Sequence, residues 1–140
     1  MIEVEARVRD DVDGAPAVRR VVWTCERMGL TRATVGVMVV TPEEMAEING
    51  EHRGKPTPTD VLSFPVDGPE ALDWPQEGPP PELGDIIICP EAAQEPLETL
   101  AVHGVLHLLG YDHETDDGEM LALQDELVDE ADALDAGGAA

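Results

Sequence analysis

Residues 97–113 read Leu-Glu-Thr-Leu-Ala-Val-His-Gly-Val-Leu-His-Leu-Leu-Gly-Tyr-Asp-His. From Leu97 to Leu109 apolar side chains lie nearly all round the helical wheel, which is typical of a helix that is buried on most sides. Gly110 tolerates a positive φ and is suited to end such a helix. We therefore expect a central helix here, with the rest of the chain packed around it.

The histidines of this stretch have the spacing of metal ligands. His103 and His107 are four residues apart, about 400° of helical turn, so both imidazoles leave the same face of the helix. A turn at Gly110 then brings His113 back toward them. One histidine in an apolar helix is usually a hydrogen-bonded core residue, but three of the chain's four histidines within eleven residues favour a metal site.

Zinc is the metal that this donor set favours, with iron or nickel as alternatives because imidazole binds several transition metals. Three protein ligands leave one tetrahedral position open, which is the arrangement of catalytic rather than structural zinc. The sequence therefore predicts one zinc ion on His103, His107 and His113.

Apolar periodicity elsewhere in the chain predicts the element order β-α-β-α-β-β-α-α. Elements mixed without strict βαβ alternation favour an α+β fold, with one domain over residues 1–136 and a small mixed four-stranded sheet packed with helices. Residues 137–140 are expected to form a disordered tail. The predicted strands are 2–8, 35–39, 61–64 and 83–89, and a first helix is predicted over 16–28. A second helix is capped by Thr41 and Glu44 and ends near Asn49-Gly50. A last helix is capped by Thr115 or Asp116 and runs toward Leu134.

Two segments are predicted to lack regular structure. Residues 53–60 contain two prolines, which bar both a helix and a strand ladder. Residues 67–82 are rich in Pro and Gly and are interpreted as a mobile loop.

The charge of the chain is strongly negative and unevenly placed. It carries 31 acidic against 8 basic residues, a formal net charge of −23, and no Lys or Arg follows Lys55. A surface of this sign repels phosphate backbones. A nucleic-acid partner therefore has to bind through the few basic residues or through the metal.

Other features of the composition bear on location. No apolar run is long enough to cross a bilayer, and residues 1–5 lack the basic start and apolar stretch of a signal peptide. Cys25 and Cys89 lie in unrelated contexts without Cys-x-x-Cys spacing, so we expect two reduced, half-buried thiols. Together these features predict a cytoplasmic protein that does not bind membranes.

The histidine spacing is also that of metzincin peptidases, whose general base is a Glu directly after the first His. That position is Gly104 here, and glycine cannot move a proton. The motif that suggests a peptidase therefore disfavours one of that mechanism.

A metal-activated water can also attack a phosphodiester. Negative charge then develops on the phosphate oxygens, and the planar, two-pronged guanidinium of an arginine stabilises it best. Arg53 is the candidate in this chain. The proton carrier stays open among Asp60, Asp85 and Asp112, although Asp112 is better suited to orient a histidine.

Four stretches carry a more specific signal. They are residues 103–113, Asn49 with Arg53-Gly54-Lys55, the Pro-Thr-Asp-Val-Leu-Ser-Phe-Pro of 58–65, and the Leu-Gly-Asp-Ile-Ile-Ile-Cys of 83–89. Together they resemble the YbeY family of bacterial metal-dependent endoribonucleases of rRNA maturation. Residues 1–30 match that family only in pattern.

The resemblance implies a single-strand-specific endoribonuclease that trims the 3′ end of 16S rRNA and takes part in ribosome quality control. Its implied partners are single-stranded rRNA and the small ribosomal subunit or its proteins. It also implies zinc on the three histidines, a need for Arg53 in activity, and substrate contacts from Lys55, Thr59 and Ser63.

The chain departs from the family in two ways. Residues 90–100 form a shorter stretch than in typical members, which carry a helix there, so the groove beside the metal is expected to be reshaped. RNA affinity is expected to depend on Arg53, Lys55, the N-terminal arginines and a partner, because no basic residue follows Lys55.

Two other functions remain open at the level of sequence. One is a ribosome-assembly factor with a mainly structural zinc, which binds RNA or subunits without cutting and which the acidic surface makes reasonable. The other is a zinc peptidase with an unusual base, against which Gly104 argues.

Overall fold

A mixed four-stranded sheet with helices on both faces forms the body of the molecule in a computed structural model, which describes residues 1–138. The predicted α+β class and element order are confirmed. In chain order the elements are β1 (Ile2–Val8), α1 (Ala15–Arg27), β2 (Ala33–Val39), α2 (Pro42–Arg53), β3 (Val61–Pro65), β4 (Glu82–Ile88), α3 (Leu97–Leu108) and α4 (Glu119–Gly138).

The strands lie in the order β1-β2-β4-β3, with β1, β2 and β4 parallel and β3 antiparallel to β4. Side chains alternate between the faces of a sheet. Ile86 and Ile88 of β4 therefore join the apolar cluster on one face, and Ile87 joins the cluster on the other. Strand β4 is apolar on both faces because both are covered.

Helices α1 and α3 cover one face of the sheet, and α2 covers part of the other through Met45. Helix α4 packs on the outer side of α3, where Met120 and Leu127 meet Val102 and Leu106. Helix α3 is therefore enclosed between the sheet and α4, which explains its apolar composition all round.

Helix α2 is longer than the sequence suggested. Its predicted end near Asn49-Gly50 is wrong, because the helix runs through Gly50 to Arg53 and ends at Gly54, which has a φ of 70°. The capping box between Thr41 and Glu44 is present as predicted. A glycine inside a helix costs only about 1 kcal/mol of stability. The capping box at the start of α2 and the tertiary packing of the helix offset this cost. Arg53 thus lies in a helical turn rather than in an irregular segment.

The segment 67–82 is not irregular throughout. Residues Gly68–Asp73 form a 3-10 helix, and Ala71 is buried in the core. Further along, Arg32 donates to the backbone carbonyls of Pro75, Gln76 and Gly78, with 2.7 Å to Gln76. The predicted loop is therefore regular in its first half and bonded to the body of the protein in its second.

The C-terminal helix starts and ends later than predicted. It begins at Glu119, and the Asp116 carboxylate accepts from the Met120 amide at 3.0 Å. The helix passes Leu134 and reaches Gly138. It therefore includes the first two positions of the predicted tail, and positions 139 and 140 lie outside the described residues.

Cys25 and Cys89 are free thiols, and both are fully buried rather than half-buried. Burial, helped by the nearby charge of Glu26, raises the pKa of the Cys25 thiol to about 12. Across residues 1–138 the structure contains no helix long and apolar enough to cross a membrane.

Candidate metal centre

The structure brings the three predicted histidines together. Helix α3 projects His103 and His107 from one face, and Gly110, with a φ of 99°, reverses the chain so that His113 returns to them. One possible ligand atom from each ring lies within 4.8 Å of the other two, and all three side chains are half-buried. This group could hold a metal ion.

The donor set suits a metal rather than a packed core. The ring centroids of His103 and His107 are 4.7 Å apart, and that of His113 is 5.2 Å and 5.3 Å from them. Three imidazoles so placed supply nitrogen ligands to one point and leave it open on the solvent side, as three-histidine catalytic zinc sites do.

His103 is oriented by a residue that the sequence did not indicate. Its Nδ1 lies 2.7 Å from Oε1 of Gln124 on α4. A carbonyl oxygen only accepts, so Nδ1 carries the hydrogen and donates it. The lone pair of Nε2 is then available to a metal. This is the outer-shell contact that fixes the tautomer of ligating histidines.

The surroundings of His107 lower its pKa. Burial, together with the neighbouring His103 and His113, lowers its pKa, while a hydrogen bond at the Tyr111 backbone and the charge of Asp112 act in the opposite direction. Because only neutral imidazole binds a metal, these surroundings favour the ligating form.

Gly104 is fixed by packing. A Cβ built there would lie 2.7 Å from Cγ2 of Ile86, a fully buried side chain of β4. Helix α3 therefore lies close to the sheet at Gly104, the position at which a metzincin peptidase carries its general-base glutamate. A glutamate side chain at this position would have no room to reach the metal from that side.

We expect Gly104→Ala to destabilise the fold by about 1–2 kcal/mol. Overpacking a core costs about 1–3 kcal/mol, and the better helix propensity of alanine returns up to about 1 kcal/mol. Urea unfolding measures the change as a lower midpoint at constant slope. Gly137→Ala in α4 is the matched control, since nothing lies within 4 Å of its added Cβ. Equal midpoints for the two variants would contradict the close approach.

The histidines open into a cleft of about 440 Å³ that runs along the edge strand β3. Two helices, the edge strand and the loop after α3 build it, so residues distant in sequence meet there. The cleft is lined by His52, Arg53, Thr59, Asp60, Val61, Leu62, Ser63, Phe64, His103, His107, Asp112, His113 and Glu114.

The predicted catalytic residue and two of the three predicted substrate contacts reach this cleft. Arg53, Thr59 and Ser63 line it, whereas Lys55 lies exposed outside its lining. The Ser63 hydroxyl also donates to the Gly104 carbonyl at 3.5 Å, which links β3 to the metal helix.

Two of the three candidate proton carriers lie in the cleft. Asp60 and Asp112 line it, but Asp85 lies over Gly36, away from the histidines. The Asp112 carboxylate accepts from the Glu114 amide at 3.0 Å. The predicted orienting role of Asp112 is therefore not seen in its hydrogen bonds, and Gln124 makes that contact to His103 instead.

Arg53 is the one Lys or Arg among the described residues that line the cleft. It makes no salt bridge within residues 1–138, in contrast to Arg9, Arg20 and Arg27, each of which pairs with at least one carboxylate. Its guanidinium is thus available to an anionic ligand.

An open three-histidine centre and, in the same cleft, an arginine without a salt bridge within residues 1–138 are typical of metal-dependent hydrolases of anionic substrates. Comparison with known proteins gives the particular family. The family model described as Endoribonuclease YbeY matches residues 12–132. The chain therefore belongs to the YbeY family of endoribonucleases, as the resemblance of its motifs predicted.

Individual relatives agree with this assignment. Endoribonuclease YbeY of Bacillus velezensis is 45% identical over 124 residues, covering 77% of this chain and 79% of that protein. Endoribonuclease YbeY of Acidothermus cellulolyticus is 36% identical, covering 91% and 88%. The solution structure of TM1509 from Thermotoga maritima superposes with a TM-score of 0.56 at 29% identity, covering 93% of this chain and 88% of that one.

Proposed function

We propose that this protein is a single-strand-specific, zinc-dependent endoribonuclease that acts in the cytoplasm in 16S rRNA 3′-end maturation and ribosome quality control. The observation that carries the proposal is that three imidazoles share one cleft with an arginine that makes no salt bridge within residues 1–138. Family membership supplies the substrate class, because the relatives are named endoribonucleases.

His103, His107 and His113 would hold the zinc ion. When bound, it would act as a Lewis acid on the phosphate and lower the pKa of a water toward about 7. Gln124 supports this role by fixing the His103 tautomer, and the lowered pKa of His107 keeps that ring ready to bind.

Arg53 would bind the non-bridging oxygens of the scissile phosphate and stabilise the charge that develops there. Thr59 and Ser63 line the same cleft, and their hydroxyls would turn away from the Asp60 carboxylate and the Gly104 carbonyl to donate to neighbouring phosphates or sugars. Lys55 would act farther out, as a phosphate contact beyond the rim.

The distribution of charge supports the ribosomal partner that the resemblance to the family implies. Half of the eight basic residues are bound by carboxylates or backbone carbonyls, namely Arg9, Arg20, Arg27 and Arg32. Long RNA therefore gains little affinity from the rest of the surface. The acidic exterior instead suits basic proteins of the small ribosomal subunit, which would deliver the rRNA end to the cleft.

Metal analysis and one cleavage assay test this function. We expect about one zinc per chain, cleavage of a labelled single-stranded fragment of the 16S rRNA 3′ region, and none of the same fragment annealed to its complement. A chelator should stop cleavage and added zinc restore it. Cleavage that survives complete metal removal would overturn the proposal. Co-sedimentation with small subunits and no cleavage under any metal would favour an assembly factor.

We expect Gln124→Ala to weaken zinc binding about 10- to 100-fold, which is the usual effect of losing an outer-shell partner. Gln124→Glu keeps the acceptor and should bind zinc at least as tightly as the wild type. Competition with a chromophoric chelator measures the affinity. Unchanged affinity in the alanine variant would show that the 2.7 Å contact to His103 does not orient the ligand.

A further inference from the structure

The cleft holds an aromatic pair that the proposed hydrolysis does not use. His52, near the end of α2, lies against Phe64 of β3 with ring centroids 4.8 Å apart and an interplanar angle of 52°. Phe64 is the single phenylalanine of the chain. Both residues line the cleft that contains the histidine centre and Arg53.

The pair is held in place from one side and open on the other. Phe64 is half-buried and packs against the cluster around Met45 and Leu62, so the core fixes its ring. His52 is exposed and rests on Phe64. A ring supported in this way loses little conformational freedom when a flat ligand stacks on it.

The position of the pair relates it to the reaction. Edge strand β3 has α3 and the metal ligands on one side and the α2 face on the other. Arg53 directly follows His52 in the chain. Both residues also line one cleft, so an RNA strand whose phosphate lies at Arg53 has an adjacent base in the same cleft as His52.

We propose that His52 and Phe64 form a stacking platform for one unpaired nucleobase next to the scissile phosphate. This rests on the proposed function and names the feature of the substrate that the cleft selects. Bases splayed from a single strand stack on aromatic side chains, and bases inside a duplex are not available to do so. Every base has a π-face, so the platform selects single strands with little sequence preference.

Equilibrium binding by the zinc-loaded protein tests the platform. The probe is a fluorescent single-stranded 2′-O-methyl oligonucleotide, checked on a gel for integrity after each titration. We expect His52→Ala to raise Kd about tenfold, within the range that stacking of one base supports. His52→Phe retains a flat ring and should stay within about twofold of the wild type. Glu47→Gln, on the exposed side of α2 outside the cleft, is the control for surface changes on this helix.

A series of probes with one abasic position each locates the base. At one position the missing base should weaken binding to the wild type but not to His52→Ala, because the two changes remove the same contact. Equal losses in His52→Phe and His52→Ala, or no abasic position whose effect depends on residue 52, would overturn the platform. Failure of the wild type to cleave RNA would overturn the proposed function instead. Intact cleavage with an unchanged Kd in His52→Ala overturns the platform alone.

Discussion

His107→Ala is expected to abolish zinc binding and to lower RNA cleavage by about 10³-fold or more. The metal supplies several kcal/mol of transition-state stabilisation, and each 1.36 kcal/mol is about a factor of ten in rate. His107 is one of the two proposed ligands on α3, and its ring contacts those of the other two. The two remaining imidazoles are one fewer than the three protein ligands of a catalytic zinc site.

Thermal unfolding with and without zinc measures the same loss independently of RNA. At a hundredfold excess over Kd, zinc stabilises the wild type by about 2.7 kcal/mol, and the variant should show no shift. His52→Ala is the matched control for metal content, since His52 is the one histidine of the chain outside the triad of His103, His107 and His113. Full zinc occupancy and undiminished cleavage in His107→Ala would remove the triad from the mechanism.

The triad was predictable because its geometry is local. Helical spacing alone places His103 and His107 on one face, and one glycine turn returns His113. These relations depend on the backbone of a single element and the turn after it. These relations do not depend on how the rest of the chain folds, so they could be predicted from the sequence alone.

The supports of the site were not predictable in the same way. Gln124 is 21 residues from His103 in the chain, and its contact depends on how α4 packs against α3. His52 meets Phe64 only because α2 continues past Gly50 and covers the β3 edge. Tertiary packing decides both contacts, and no local pattern encodes them.

At Gly104, packing explains why the motif carries a glycine. The sequence showed only that the base of the peptidases is missing. The structure adds that the position faces Ile86 of β4 at a distance that admits a methyl group only if Ile86 shifts. The same helix thus packs into the core on one side and carries two of the candidate metal ligands on the other.

Arg53→Ala is expected to lower kcat/KM for single-stranded RNA by about 10²- to 10³-fold, the usual effect of removing a donor to developing charge. Zinc content should not change, because Arg53 is not part of the three-histidine group. Arg53→Lys keeps the charge but loses the two-pronged geometry, so it should recover only part of the rate.

Salt dependence separates a phosphate contact from a general charge effect. Losing one phosphate contact to a single strand makes the slope of log K against log salt less steep by about 0.7. Arg7→Ala is the matched control. The sequence counted the N-terminal arginines as contributors to RNA affinity, but Arg7 lies exposed on β1, at the sheet edge opposite to β3 and its cleft. The variant removes the same charge far from the cleft and should leave kcat/KM within about twofold. Equal losses in the two variants would mean that net charge, and not a guanidinium at the phosphate, sets the rate.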